Sequence, residues 1–161
     1  MRFKHRYFLC ELVLEDPRQR HVITQGTVYH NVKEIVARLH GDFGVAAVSV
    51  ALSVKYLNAY TGIIFIRSLK NYHKILGSSL PFITSLENRG QRYPCFINTL
   101  HIAGTIRSCQ RFLIQYNREQ LDRLLRNCTN PSEKENIRQS IVSCTLKSVE
   151  ESEFTEDEEM E

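Results

Sequence analysis

Seven cationic side chains occur in settings where arginine and lysine commonly bind phosphate. Three alternate along the N-terminus, two flank a predicted hairpin, and two lie one helical turn apart after a Gly-Thr pair. Guanidinium and ammonium groups form charge-assisted hydrogen bonds with phosphate oxygens, and a helix N-terminus adds unpaired N–H donors. The candidate phosphate ligands are therefore Arg2, Lys4, Arg6, Lys55, Arg67, Arg107 and Arg111.

The charge of the chain is divided between a basic body and an acidic tail. All 21 lysines and arginines precede position 148, whereas eight of the 18 acidic residues lie within residues 150–161. Residues 1–149 therefore carry a net charge of +11, and residues 150–161 carry −8. Such a basic body favours a polyanionic partner, because each phosphate that it neutralises releases counterions.

The acidic segment sets the predicted domain boundary. Residues 1–147 are predicted to form a basic α/β domain with C-terminal helices, and residues 148–161 a disordered acidic tail. The alternative is an intramolecular competitor that covers the basic surface until RNA displaces it. Ser148 and Thr155 each precede a glutamate by three positions, a pattern that acid-directed kinases accept. Both are candidate phosphorylation sites, and phosphate there would deepen the negative charge.

The sequence contains no pattern typical of a metal site or of catalysis by side chains. The five cysteines form no C-x-x-C pair, the six histidines lack H-x₃-H spacing, and neither a G-x-S-x-G motif nor a Walker-type loop occurs. Glu15 and Asp16 adjoin a turn proline, and His101 and Cys95 are better explained as strand positions than as a base and nucleophile. No apolar run reaches the ~20 residues of a membrane span, and no secretory signal is recognisable. A non-catalytic binding protein is predicted.

Hydrophobic periodicity predicts the order β-α-β-β-α-β followed by C-terminal helices. This order is typical of a ferredoxin/RRM-like α/β (α+β) sandwich, in which the first and third strands lie centrally. Both predicted central strands are apolar on both faces, so either the C-terminal helices or a partner protein must cover the second face. The predicted strands are Arg6–Leu14, 45–57, 63–69 and Tyr93–Ala103. The predicted helices are Val28–Leu39, a second near 72–80, a third after Thr105 and a fourth that begins at Asn130. Thr24 or Thr27 is expected to cap the first helix, and Gly41 to end it.

The stretch VAAVSVALSVKYLNAYTGIIFIR (45–67) is predicted to be a hairpin. Strict alternation places Tyr56 on the core face and Lys55 on an opposite face of small residues, and Asn58 and Gly62 suit the loop. Lys55 and Arg67 are therefore expected to bind RNA phosphate, and Tyr56 to pack. The small-residue face, Ala47, Ser49, Ala51 and Ser53, supports an alternative function as a ferredoxin-like regulatory domain that dimerises or binds a small molecule.

An RNA recognition motif shares this element order and stacks bases on aromatic residues of its central strands. Here TGIIFIRS lacks the glycine–aromatic–x–aromatic pattern, and Phe65 stands alone among isoleucines. Base stacking on the open sheet is therefore disfavoured. A free single-strand binder, which would depend on Tyr56, Tyr60 or Phe65, is the third and weakest function.

Long segments of the chain resemble one family. The stretches RFKHRYFLCEL, VKYLNAYTGIIFIR and LPFITSLENRGQRYPCFINTLHIAGTIRSCQRFLIQYNREQL, with an acidic tail, are similar to the small α/β protein subunits shared by eukaryotic nuclear ribonuclease P and ribonuclease MRP. The resemblance is strong over Arg2–Cys128. It implies an RRM-like fold with added helices and a non-catalytic subunit of an RNA-based endoribonuclease.

The resemblance also implies the partners and the reaction. Ribonuclease P removes the 5′ leader of precursor tRNA, and ribonuclease MRP cleaves precursor rRNA, with an active site of RNA and magnesium. The implied partners are the catalytic RNA, a TIM-barrel-like protein subunit and a related small α/β subunit. Magnesium is expected on the RNA, with no cofactor on this chain, and the implied location is the nucleus and nucleolus.

Overall fold

A computed structural model of the chain describes residues 2–140. The described residues form two compact units, which divide between Ile106 and Arg107. Within the described residues, no helix is long and apolar enough to cross a membrane. The predicted boundary between residues 147 and 148, the acidic tail, Ser148 and Thr155 all lie outside the described residues.

The first unit is built on a five-stranded antiparallel sheet of order β2-β3-β1-β5-β4. The predicted mixed α/β class with ferredoxin-like order is confirmed, and the first and third strands are central. One short strand was missed, because β4 has only four residues and joins β5 through a two-residue turn. The strands are β1 (His5–Leu14), β2 (Ser53–Asn58), β3 (Ile63–Leu69), β4 (Ser85–Asn88) and β5 (Gln91–Ala103).

Two helices pack on one face of this sheet. Helix α1 (Gln25–Ser49) begins at Thr24, whose hydroxyl accepts from the Thr27 N–H at 3.2 Å, so the predicted cap is confirmed. Helix α2 (His73–Ser79) follows a 3₁₀ turn. The buried core between the helices and the sheet takes alternate residues from β1 and β3, namely Phe8, Cys10, Leu12, Ile64 and Ile66, together with Val28, Val32, Val36 and Leu76 from the helices.

The end of α1 differs from the prediction. The chain leaves the helix at Gly41, where φ is +66°, but becomes helical again up to Ser49. The predicted strand at 45–57 is therefore wrong for its first half. Val48 and Leu52 are buried in the core and the Leu52 N–H donates to the Val48 carbonyl at 3.1 Å, whereas Val50 is 67% exposed. This is helical rather than alternating burial.

The β2–β3 loop has the predicted form. The Asn58 carboxamide oxygen accepts from the N–H groups of Tyr60 and Thr61, at 3.1 and 3.3 Å. Gly62 has a φ of +75°, and its carbonyl accepts from the Leu12 N–H at 2.6 Å. A Cβ at position 62 would overlap the Leu12 carbonyl oxygen. Glycine is therefore required both by the backbone angle and by the close approach of β1.

The second face of the central strands is also buried. Leu9, Ile63 and Phe65 have 0%, 6% and 5% of their surface exposed. These side chains alternate with core residues, so both faces of β1 and β3 are shielded from water. This face is buried as expected, whereas its cover by the C-terminal helices or by a partner protein stays a prediction.

Edge strand β4 is held by a side chain of α1. The Asn31 carboxamide donates to the Glu87 carbonyl at 3.0 Å and accepts from the Glu87 N–H at 2.9 Å. Its Nδ2 also donates to the Thr27 carbonyl at 2.7 Å. Asn31 thus occupies backbone groups of β4 that a further strand would otherwise use, which protects the edge of the sheet from pairing with another strand.

The second unit contains two described helical segments. Helix α3 (Ile106–Asn127) starts after Thr105 as predicted. Residues 131–140 are also helical, and the Asn130 side chain accepts from the Ser132 N–H at 3.1 Å. The predicted Asn130 cap is confirmed.

Gly62→Ala tests the requirement at the loop. We expect the free energy of unfolding to fall by at least about 2 kcal/mol, because the substitution adds a disfavoured backbone angle and a clash with Leu12. Urea unfolding followed by circular dichroism measures the change. Gly90→Ala is the control, since Gly90 has a φ of +79° but open space around it. Equal losses for both variants would contradict the role of the Leu12 contact.

Asn31→Ala tests the clamp on β4. Loss of hydrogen bonds that join α1 to Glu87 should lower the free energy of unfolding by about 1–2 kcal/mol. Hydrogen exchange should speed up at the Glu87 amide in particular. His30→Ala, at an exposed neighbouring position, is expected to change stability by less than about 0.5 kcal/mol. An unchanged exchange rate at Glu87 would contradict the clamp.

Candidate nucleic-acid interface

The pairing of β3 with its neighbours places a group of cations at one end of the sheet. Arg67 lies opposite Tyr7 of β1 and opposite Ser53 of β2. The Arg67 Nε donates to the Ala51 carbonyl at 3.2 Å, which fixes the half-buried side chain at the point where β2 begins. A guanidinium held in this way keeps its remaining N–H donors for a ligand.

Arg2, Lys55 and Arg67 act on the same histidine, His5. The pKa of His5 is lowered, first by burial and then by the positive charges of Arg67, Lys55 and Arg2. Three of the seven predicted phosphate ligands therefore lie near enough to His5 to affect its charge, although they come from three separate parts of the sequence. We call His5, Arg2, Lys55 and Arg67 the strand-end surface.

The strand-end surface is positive without compensation from nearby acids. Within residues 2–140, no carboxylate oxygen lies within 4.0 Å of a charged nitrogen of its members; the ion pairs there are Arg18–Asp16, Arg38–Glu34 and Arg138–Glu135. Arg2 and Lys55 are exposed. Uncompensated cations on an open surface attract a polyanion over several ångströms and fix its backbone on contact.

The other N-terminal candidates are arranged differently. Lys4 has an exposed side chain, and its carbonyl accepts from the Lys70 N–H at 2.9 Å. Arg6 donates through Nη1 to the His5 carbonyl at 3.1 Å, and a Cβ on Gly104 would lie 3.2 Å from that nitrogen. Lys4 thus flanks the strand-end surface, whereas Arg6 extends toward the end of β5.

The two candidates of the second unit lie on α3. Arg107 and Arg111 are exposed and occupy the first two turns of the helix, four positions apart. Side chains at this spacing lie on one helix face. They remain candidate phosphate ligands of that unit.

Tyr56 lies on the opposite face from the one predicted. The β2–β3 register shifts between Val54 and Tyr56, so one residue, Lys55, is inserted into the alternation. Val54 packs against the core, whereas Tyr56 lies opposite Phe65, with ring centroids 5.4 Å apart. A β-bulge of this kind cannot be read from alternation alone. The expected packing of Tyr56 in the core is therefore wrong: its ring contacts Phe65 on the face of Arg67 and is 40% exposed.

The centre of the sheet face on which an RNA recognition motif would stack bases is buried. Leu9 and Phe65, at the centre of that face, are buried. Tyr60 is 77% exposed at the tip of the β2–β3 loop, away from the paired strands. Stacking of several bases across the central strands is therefore disfavoured, as the sequence also predicts.

The sequence pair His101 and Cys95 does not form a site. On β5, Cys95 lies opposite Leu14 and His101 lies opposite Leu9, which separates them by about 17–20 Å along the strand. Burial raises the pKa of the Cys95 thiol to about 11. Among the described residues, no group of three or more His, Cys, Asp and Glu side chains could hold a metal ion.

Sequence reasoning missed His5 as a member of the site. Its alternation with Tyr7 and its position before the first apolar strand were visible signals. What could not be seen was the β1–β3 register, which pairs His5 with Leu69 and so brings it beside Arg67. Register is set by contacts between strands rather than by either strand alone.

Comparisons with known proteins agree with the fold. A solved chain described as "Cryo-EM structure of yeast Ribonuclease MRP" matches with a TM-score of 0.51 and 17% identity, over 66% of this chain and 78% of that chain. At this identity the match concerns the fold alone.

Sequence relatives are much closer. The human protein named ribonuclease P/MRP protein subunit POP5 is 56% identical over 153 residues, which cover 94% of each chain. The zebrafish protein of the same name is 49% identical over 148 residues, 91% of this chain and 88% of the relative. The model of the Rpp14/Pop5 family matches residues 6–114. The chain belongs to the Rpp14/Pop5 family.

Proposed function

We propose that the chain is a non-catalytic, RNA-binding subunit of ribonuclease P and ribonuclease MRP that stabilises their catalytic RNA. The observation that carries this proposal is the strand-end surface, where Arg67, held by the Ala51 carbonyl, and the exposed Arg2 and Lys55 have no carboxylate within 4.0 Å among the described residues. The names of the human and zebrafish relatives support the choice of particle.

The proposed role follows from the electrostatics of folded RNA. A compact RNA brings phosphates close together, and their repulsion opposes folding unless cations lie between them. Arg67 is already positioned by Ala51, so its binding to phosphate costs less side-chain entropy than that of a free arginine. Lys55 and Arg2 add mobile charge on either side. The protein would therefore favour one arrangement of RNA strands over looser ones.

The chemistry would reside in the RNA. In ribonuclease P the reaction is removal of the 5′ leader of precursor tRNA, and in ribonuclease MRP it is cleavage of precursor rRNA. Magnesium is proposed on the RNA, where it would activate the attacking water and stabilise the leaving oxygen. The protein would contribute binding and orientation, with no proton transfer assigned to its side chains.

Protein partners are proposed as well. Leu39, Phe43 and Phe82 are exposed apolar residues of α1 and of the turn after α2, and Phe43 contacts Tyr72 with centroids 6.3 Å apart. Exposed apolar groups of this kind support contacts within an assembly. The proposed partners are a TIM-barrel-like subunit and a related small α/β subunit, in the nucleus and nucleolus. Phosphorylation at Ser148 and Thr155 remains a proposal from sequence.

The regulatory domain and the free single-strand binder rested on sequence features that the fold does not retain. The small-residue face that suggested a regulatory, dimerising domain does not exist, because Ala47 and Ser49 are helical. The free single-strand binder requires an open aromatic sheet, but Phe65 is buried. Neither is favoured by a feature of the structure.

A double substitution tests the strand-end surface. Arg2→Ala with Lys55→Ala should weaken binding to the cognate ribonuclease P RNA and reduce the slope of log affinity against log salt by about 2, one per lost phosphate contact. Filter binding at several salt concentrations measures both. The matched control is Arg92→Ala with Lys74→Ala, which removes the same charge from exposed positions of β5 and α2. Equal loss in both double variants would show a general charge effect and contradict a specific surface.

Depletion tests the particle assignment. Removal of the chain from cells should cause precursor tRNA with uncut 5′ leaders to accumulate, because the RNA would lose part of its phosphate neutralisation. Northern blotting measures the precursor. The control is re-expression of the unaltered chain, which should restore cleavage. Normal leader removal in depleted cells would contradict the assignment.

A further inference from the structure

His5 lies within the strand-end surface by virtue of the β1–β3 register. It is opposite Leu69, and Arg67 lies two positions away on the same face of β3. Diagonal neighbours in an antiparallel pair are about 7–8 Å apart, within reach of one phosphate group held between long side chains. His5 is half-buried, so the residue remains partly accessible to a ligand.

The charged side chains that act on His5 are all positive. Arg2 and Lys4 precede it on the chain, Arg6 donates to its carbonyl, Lys55 lies on β2, and Arg67 lies on β3. The Lys70 N–H donates to the Lys4 carbonyl, which places Lys70 beside the N-terminal residues. No carboxylate of the described residues lies within 4.0 Å of the His5 ring.

This setting keeps the free imidazole neutral. Burial, and then the charges of Arg67, Lys55 and Arg2, lower the pKa of His5 below its ordinary value of 6.5. The neutral form of the ring is therefore favoured in the free protein. A phosphate that binds Arg67 and Lys55 would reverse the sign of the field at the ring, and a negative neighbour favours the imidazolium form.

We propose that His5 is a phosphate ligand of the RNA that binds as an imidazolium, so that RNA binding takes up one proton. The proton comes from solvent and is added to the ring nitrogen that lacks one, giving a second N–H donor toward the phosphate. The inference rests on the proposed function, and it makes the strand-end surface sensitive to pH in a range where arginine and lysine do not titrate.

The sign of the effect follows from the two protonation states. Bound RNA raises the pKa of His5 above the lowered value of the free protein, so affinity increases as pH falls from 8 toward 6. The increase is up to about tenfold for each unit by which RNA raises the pKa. Below the pKa of the free protein both states carry the proton, and the dependence levels off.

The test uses the full chain and a transcript of the cognate ribonuclease P RNA. Affinity is measured between pH 6 and 8 at constant salt, for the unaltered chain, His5→Gln and His5→Lys. The unaltered chain should bind severalfold more tightly at pH 6 than at pH 8. His5→Gln should lose most of that difference, and His5→Lys should bind at pH 8 at least as tightly as the unaltered chain does. His30→Gln, at an exposed position on α1, is the matched control and should keep the full pH dependence.

Calorimetry in two buffers of different ionisation enthalpy counts the protons directly. Uptake of up to one proton near pH 7 is expected for the unaltered chain and a clear decrease for His5→Gln. Equal proton uptake in both would overturn the assignment to His5, even if both bind RNA with the expected salt dependence. Binding that does not respond to salt would instead contradict the proposed function. Circular dichroism of each variant confirms that the comparison is made between folded proteins.

Discussion

The antiparallel pairing of β1 with β3 is the interaction on which both the core and the candidate site depend. On one face it pairs Phe8 with Ile66 and Cys10 with Ile64, all of them fully buried. On the other face the same ladder sets Tyr7 opposite Arg67. A slip of one residue would exchange the two faces, so that the apolar core and the cationic surface would be lost together. The hydrophobic effect thus fixes the position of charges that contribute little to the core themselves.

The cations of the strand-end surface repel one another, and a negatively charged partner would offset this repulsion. Arg2, Lys55 and Arg67 carry like charges near His5, whose pKa is lowered first by burial and then by these charges. The described part of the chain places no carboxylate beside them, although acids pair with arginines elsewhere, as at Asp16 and Glu34. A phosphate would remove this repulsion and gain charge-assisted hydrogen bonds. The surface is therefore suited to a polyanion rather than to a neutral ligand.

Much of the fold could be predicted because its signals are local. Thr24, Asn58 and Asn130 each bond to backbone N–H groups within three residues, so their roles depend only on nearby sequence. Residues 45–52 were mispredicted because their apolar side chains fit two patterns. Val48, Val50 and Leu52 recur at every second position, as on one face of a strand, and Val48 and Leu52 also lie four positions apart, as on one face of a helix. Packing against the core decides for the helix, and that contact involves residues far away in sequence.

The site was less predictable because it depends on register. Each cation could be named from sequence, but only the β1–β3 pairing shows that His5 lies diagonally opposite Arg67. The bulge at Lys55, which moved Tyr56 to the face of Arg67, is likewise a property of two strands together. The four-residue strand β4 is too short for periodicity to show, and it is stabilised by the distant Asn31.

The most direct measurement is photocrosslinking in the assembled particle. In one variant a photoreactive amino acid replaces Lys55, at the strand-end surface. In a second variant it replaces Lys74, an exposed lysine of α2. If the strand-end surface binds the catalytic RNA, crosslinks to RNA form from position 55 at defined nucleotides, and few or none form from position 74. RNA crosslinks from position 74 without any from position 55 would contradict the account.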